Sequence, residues 1–110
     1  MATTSFGALE LVVLLAVARL GDDAYGLAVR HDLSARTGRE HSVGAVYTTL
    51  QRLEEKGYVS SYTTEPLAVR GGRSRKQFKV TGVGQRALYE ARRVAVSVWD
   101  GIGPLYPEPA

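Results

Sequence analysis

Apolar positions along the chain fall into four helical stretches and one pair of short alternating runs. Between Val43 and Leu53 the residues Val43, Val46, Tyr47, Leu50 and Leu53 return at intervals of three and four. That is the spacing of one face of a helix. Ser42 precedes the run as a cap and Gly57 follows it as a stop, so a helix over Val43–Lys56 is expected. Upstream, Ser5 caps a pattern from Phe6 to Leu20 in which Leu9, Val12, Val13, Ala16, Val17 and Leu20 form one stripe. Leu11, Leu14 and Leu15 make the rest apolar too, so this helix is read as covered on more than one side. Gly21 ends it. Asp22 or Asp23 caps a second helix through about Thr37, with Tyr25, Leu27, Ala28 (or Val29) and Leu33 inward and Gly38 closing it.

After Gly57 the period changes from helical to two. Tyr58 to Thr64 is rich in aromatic and β-branched residues and reads as a strand stopped by Glu65-Pro66. Arg70-Gly71-Gly72-Arg73 supplies a turn tolerant of positive φ. Lys76 to Val80 alternates Lys76, Phe78 and Val80 against Gln77 and Lys79, and reads as the returning strand. Thr81 then caps a last helix over Gly82–Gly101. Val83, Ala87, Ala91, Val94, Val98 and Ile102 form one edge of its apolar stripe, and Leu88, Ala95 and Trp99 the other. The stripe spans about 160°, wider than one small core requires. Pro104 to Ala110 holds three prolines and reads as an irregular tail. Three helices with short connections, then a hairpin, describe a mainly α fold: a winged helix-turn-helix over 1–81, a C-terminal dimerisation helix over 82–103 and a tail over 104–110.

Charge sharpens this outline. The chain has 110 residues and a net charge of +3. Residues 1–56 carry six basic and seven acidic side chains; residues 57–110 carry eight and four. Five of those eight lie between Arg70 and Lys79, with no acid among them. A basic cluster on a hairpin is the footprint of a phosphate-binding element. The face of the third helix opposite its core stripe is small and polar, with Gly44, Ala45 and Thr48, and Arg52 is its one long cation. Such a face suits close approach to base edges in a groove. Ser42 at the helix start, Thr49 at its flank, and Arg70, Gly72, Arg73, Arg75 and Lys76 on the hairpin complete the expected DNA surface. Tyr25 and Tyr47 are further phosphate candidates, although Tyr47 also falls on the core stripe.

Other functions find less support. The chain has no cysteine, and no carboxylate pair or Ser-His-Asp set shows local logic, so an enzyme is not expected. His31 and His41 have no third ligand at metal spacing, so neither a metal nor a cofactor is expected. The longest apolar run, Leu11 to Ala18, is far short of the roughly 20 residues of a membrane span. The start M-A-T-T-S-F lacks the basic residues of a signal peptide, and the cytoplasm is the expected location. The main rival is a winged helix that binds protein rather than DNA, which would not need the hairpin's cations.

Tyr25-Gly26, then V-Y-T-T-L-Q-R-L-E-E-K-G (Val46 to Gly57), then G-G-R (Gly71 to Arg73), then Phe78-Lys79-Val80-Thr81 and Gly84 together resemble the PadR family of transcriptional regulators. The ordered set covers nearly the whole chain and is similar to the short subgroup with a single C-terminal helix. The resemblance implies a winged-helix homodimer that represses transcription from a palindromic site on double-stranded DNA. It implies a recognition helix over Val43–Lys56, a wing around Gly72, and pairing of subunits through the first and last helices. Leu11, Leu14, Leu15, Leu88, Val94, Ala95, Val98, Trp99 and Ile102 are the expected interface. Relatives that respond to aromatic compounds make Trp99 a candidate lining residue for a small aromatic effector. Two positions depart from the family pattern: Phe78 where tyrosine is usual, and Val83 where an acidic residue is common.

Overall fold

A computed structural model describes residues 6–64 and 75–104. The elements run α1 (Ala8–Leu20), a single 3-10 turn (Gly21–Asp23), α2 (Gly26–Thr37), α3 (Val43–Glu55), β1 (Val59–Thr63), β2 (Lys76–Val80) and α4 (Gly82–Trp99). The expected fold class is the observed one: three packed helices, a two-stranded antiparallel wing and a C-terminal helix. Val59 pairs with Val80 and Thr63 with Lys76, which fixes the register of the wing. One core holds Val13, Leu14, Ala16 and Val17 of α1, Val29 and Leu33 of α2, and Val46, Leu50 and Leu53 of α3. Val59 and Phe78 close it from the wing side.

Glycines end the helices where the sequence placed the stops. Gly21, Gly38 and Gly57 have φ of 57°, 71° and 79°, values that L side chains rarely adopt. The starts differ. α1 begins at Ala8 with Gly7 as its cap rather than Ser5, and the Glu10 carboxylate accepts the Gly7 N–H at 2.8 Å. α2 begins at Gly26, three residues after the aspartates expected to cap it. Asp22 and Asp23 instead form the 3-10 turn, Ala24 turns the chain, and Tyr25 runs extended along the outer edge of β2. Phe78 N–H donates to the Ala24 carbonyl at 2.8 Å, and Tyr25 bridges Gln77. This pairing with a strand 52 residues later, Tyr25 against Gln77, delays the helix.

Several side chains sit on other faces than the periodicity assigned. Leu27 and Val43, read as inward, are 56% and 41% exposed. Leu14, expected at a subunit interface, is fully buried in the core of one chain. Leu88 is half-buried and packs on the same core, so it serves the subunit's own fold. α4 stops at Trp99, and Gly101 with φ of 83° turns the chain away, so Ile102 lies beyond the helical stripe it was expected to extend.

Ion pairs tie the helices at their rims. Arg19 of α1 forks onto Asp32 of α2, with its Nε 3.1 and 3.2 Å from the two carboxylate oxygens. The Arg19 hydrogen bond holds the Asp32 carboxyl below its ordinary pKa. Lys56, just after α3, reaches Glu10 at 2.9 Å. The Gly7 N–H, then Lys56, hold the Glu10 carboxyl below its usual range. At the start of α4 the Thr81 hydroxyl accepts the Gly84 N–H at 3.0 Å and donates to the Gly57 carbonyl at 2.6 Å. Among the described residues, no helix is long and apolar enough to cross a membrane.

Candidate nucleic-acid interface

α3 presents the small face expected of it. Gly44, Thr48 and Arg52 follow at intervals of four and are all exposed, so they form one stripe along the helix. A methyl group added at Gly44 would meet nothing within 4 Å, so the backbone there is open to a partner. Ser42 caps the helix by accepting the Ala45 N–H at 3.1 Å. In that contact the hydroxyl accepts, and its own proton is available to donate. Ala45 is half-buried beside it. Thr49 is the exception. It is 5% exposed, and its hydroxyl donates to the Ala45 carbonyl at 2.7 Å. Both its burial and this bond remove it from the DNA-facing set.

Tyr47 faces neither fully inward nor fully out. It is 42% exposed, and its ring lies directly over Gly26, where a Cβ would overlap the ring and its hydroxyl. The phenol therefore sits at the first turn of α2. Tyr25, the residue before that turn, gives it no side-chain cap. A helix start with uncapped N–H groups beside a phenolic hydroxyl is a favourable place for an anion. Glycine at position 26 is what lets the two helices come this close.

The base of the wing is more tightly organised than its sequence suggested. The Arg75 guanidinium lies over the Tyr25 ring, 4.3 Å from its centroid. The backbone of Arg75 is held by Thr64 through two bonds: Arg75 N–H to the Thr64 hydroxyl at 3.0 Å, and Thr64 N–H to the Arg75 carbonyl at 2.9 Å. Tyr62 donates to Gln77 at 2.9 Å across the strands. Lys76 behaves differently from Arg75. Its Nζ lies 3.7 Å from Glu54 and 5.6 Å from the Phe78 ring, so it turns back toward the end of α3. Contact with DNA would require it to leave Glu54, which also accepts from the Ser61 hydroxyl. Arg70, Gly72 and Arg73, the remaining expected wing contacts, lie outside the described residues.

Two further residues organise this region. Arg30 of α2 donates from Nε to the His41 carbonyl at 2.5 Å, holding the turn that leads into α3. Glu54 joins α3 to both wing strands. Neither has a local sequence signal, because each acts on the next element rather than within its own helix. Among the described residues there is no group of three His, Cys, Asp or Glu side chains placed to hold a metal ion.

The last helix leaves its apolar stripe uncovered. Val94 is 45% exposed and Val98 71%, Ala95 is exposed, and with Phe6, Leu11, Glu90 and Ala91 they line a groove between α4 and the start of α1. Leu15 is exposed nearby in sequence on α1. Trp99 is 63% exposed at the end of α4 and is not part of that groove.

A model of the transcriptional regulator PadR-like family matches residues 14–90. Solved structures share the fold. RosR from H. salinarum is 21% identical with a TM-score of 0.70, over 90% of this chain and 82% of that one. A PadR-like transcription factor from Bacteroides fragilis is 24% identical with a TM-score of 0.69, over 82% of each chain. A PadR family transcription regulator from Clostridium difficile is 22% identical with a TM-score of 0.67, over 86% of this chain and 96% of that one. Among curated proteins, none matches the sequence.

Proposed function

Because the chain belongs to the PadR-like family of transcriptional regulators, we propose that it is a DNA-binding repressor that acts as a homodimer on a palindromic operator. The observation that carries this reading is the stripe Gly44, Thr48 and Arg52 on α3, exposed and small at its leading end. Small residues let the helix backbone enter the major groove, Thr48 offers a hydroxyl and a methyl to base edges, and Arg52 reaches a guanine or a phosphate. The Tyr47 hydroxyl and the first turn of α2 bind phosphate beside it, and Ser42 adds a hydroxyl at the start of α3. Arg75 serves the adjoining backbone, joined by Arg70 and Arg73, whose part rests on the sequence alone.

The dimer brings two such surfaces onto one duplex. Val94, Ala95, Val98 and Trp99 of α4, with Leu11 and Leu15 of α1, supply its apolar contact. A small aromatic effector would enter where Trp99 meets the partner subunit, and would release DNA by favouring another dimer geometry. Enrichment of random duplexes on the purified protein tests the reading. A two-fold symmetric motif with half-sites about 10 base pairs apart is expected. Binding that stays indifferent to sequence at moderate salt would favour a winged helix that contacts protein instead.

A further inference from the structure

Arg75 differs from an ordinary surface arginine in how many of its freedoms are already spent. Its backbone is fixed on both sides by Thr64, at 3.0 and 2.9 Å. Its guanidinium is laid over the Tyr25 ring at 4.3 Å from the centroid. Tyr25 is itself immobilised: it bridges Gln77 of β2, and the neighbouring Ala24 carbonyl accepts the Phe78 N–H at 2.8 Å. Gln77 is held in turn by Tyr62. The cation is thus fixed at the junction of α2 and the wing, and it remains exposed.

From this geometry we infer that Tyr25 is a positioning residue that presets Arg75 for a DNA phosphate, acting through its ring face and not through its hydroxyl. The inference rests on the DNA-binding reading above and assigns Tyr25 a different part from the direct phosphate ligand expected from sequence. A guanidinium stacked on an aromatic face keeps its N–H edges free, because the ring engages only the plane of the cation. The long side chain then has less rotamer freedom left to lose when a phosphate arrives, so the stack contributes to affinity without touching DNA. An arginine on a bare loop would lose that freedom on binding.

Two measurements on the whole protein test this. In the DNA-free protein, protons held over an aromatic face are shielded by its ring current. The Arg75 side-chain resonances are expected upfield in wild type and Tyr25→Phe relative to Tyr25→Leu, which keeps apolar bulk without a π face. Equal shifts in all three would overturn the stack. On the enriched duplex, Tyr25→Leu is expected to weaken binding about two- to fivefold, the range a surface cation–π contact represents. Tyr25→Phe is expected to restore wild-type affinity, and Tyr25→Leu to cost nothing further in an Arg75→Ala background. A Tyr25→Phe loss as large as that of Tyr25→Leu would make the hydroxyl the ligand and overturn the inference. So would a Tyr25→Leu loss that persists without Arg75. Ring-current shielding in a wild type that binds no duplex would instead sink the DNA reading and leave the stack established.

Discussion

Among the described residues, two glycines lie under neighbours that a methyl group would strike, and they are expected to fail differently. At Gly26 the obstruction is the outer part of the Tyr47 ring, on a half-exposed side chain that can swing away. At Gly84 it is the Tyr58 carbonyl oxygen, with Val80 Cγ1 2.9 Å away, and backbone cannot swing. Gly26→Ala is expected to fold with a loss of about 1–2 kcal/mol, and Gly84→Ala to lose about 3 kcal/mol or more. Thermal melts compare them. Pairing Gly26→Ala with Tyr47→Ala should cost less than the sum of the two, because the second change removes the obstruction; strict additivity would show that the ring is not the obstacle. At the same scale, Thr48→Ala and Arg52→Ala are expected to narrow the gap between operator and random DNA by about 1–3 kcal/mol each. Arg75→Ala should weaken all duplexes alike and lower the slope of log K against log salt by about one. A salt slope unchanged by Arg75→Ala would remove it from the phosphate contacts.

Among elements, the sequence was most legible where a rule is local. A glycine with positive φ ends a helix for reasons contained in one residue, and Gly21, Gly38 and Gly57 all did so. Alternation over five residues placed β2 at Lys76–Val80 without error. The start of α2 differs from expectation because its cause is remote: Ala24 and Tyr25 are held by β2. Leu14 was misassigned for another reason. In α1 nearly every position is apolar, so angle alone could not say which side meets the core. The candidate site divides in the same way. The open face of α3 followed from its period. The packing of Tyr47 on Gly26, the stack of Arg75 on Tyr25 and the diversion of Lys76 to Glu54 required the elements to be assembled first.

The Arg19–Asp32 pair gives an element-scale test by pH. Asp32 has its folded pKa lowered chiefly by the Arg19 hydrogen bond. Its contribution to stability is therefore present above the pKa of an unfolded aspartate, about 3.9. It is lost as pH falls through the lower folded value. Asp32→Asn is expected to cost about 1 kcal/mol near neutral pH, discounted because Arg19 is partly exposed, and the difference from wild type should shrink on acidification below about pH 4. Unfolding by urea at several pH values measures it; a gap that widens on acidification would contradict the assigned sign.

For the whole molecule, the uncovered stripe of α4 sets the question of assembly. Val98→Glu is expected to give monomers in sedimentation and to abolish operator binding, since one half-site gives up the contacts of the second. The site is 71% exposed in one chain, so the fold of the subunit should survive, as a helical circular-dichroism spectrum would confirm. A mutant that stays dimeric would place the interface elsewhere. Titration with planar aromatic compounds, read by Trp99 emission, is expected to give saturable quenching together with weaker operator binding. No response across a varied panel would leave Trp99 a packing residue.

α4 is seated only at its beginning. Gly84 and Ala87 are its buried residues, and from Arg92 onward every position is exposed. Eighteen residues make a rod about 27 Å long, clamped at one end like a cantilever. The clamp is the Thr81 hydroxyl on the Gly57 carbonyl and the bare Gly84 against Tyr58, at the very point where the chain enters the wing. A tilt of about 5° at such a clamp carries the far tip through about 2 Å. In the homodimer proposed above, joined by these rods, the distance between the two copies of α3 would be an angle set at Thr81, and an effector that pried the tips apart would work with the full length of the lever against the wing.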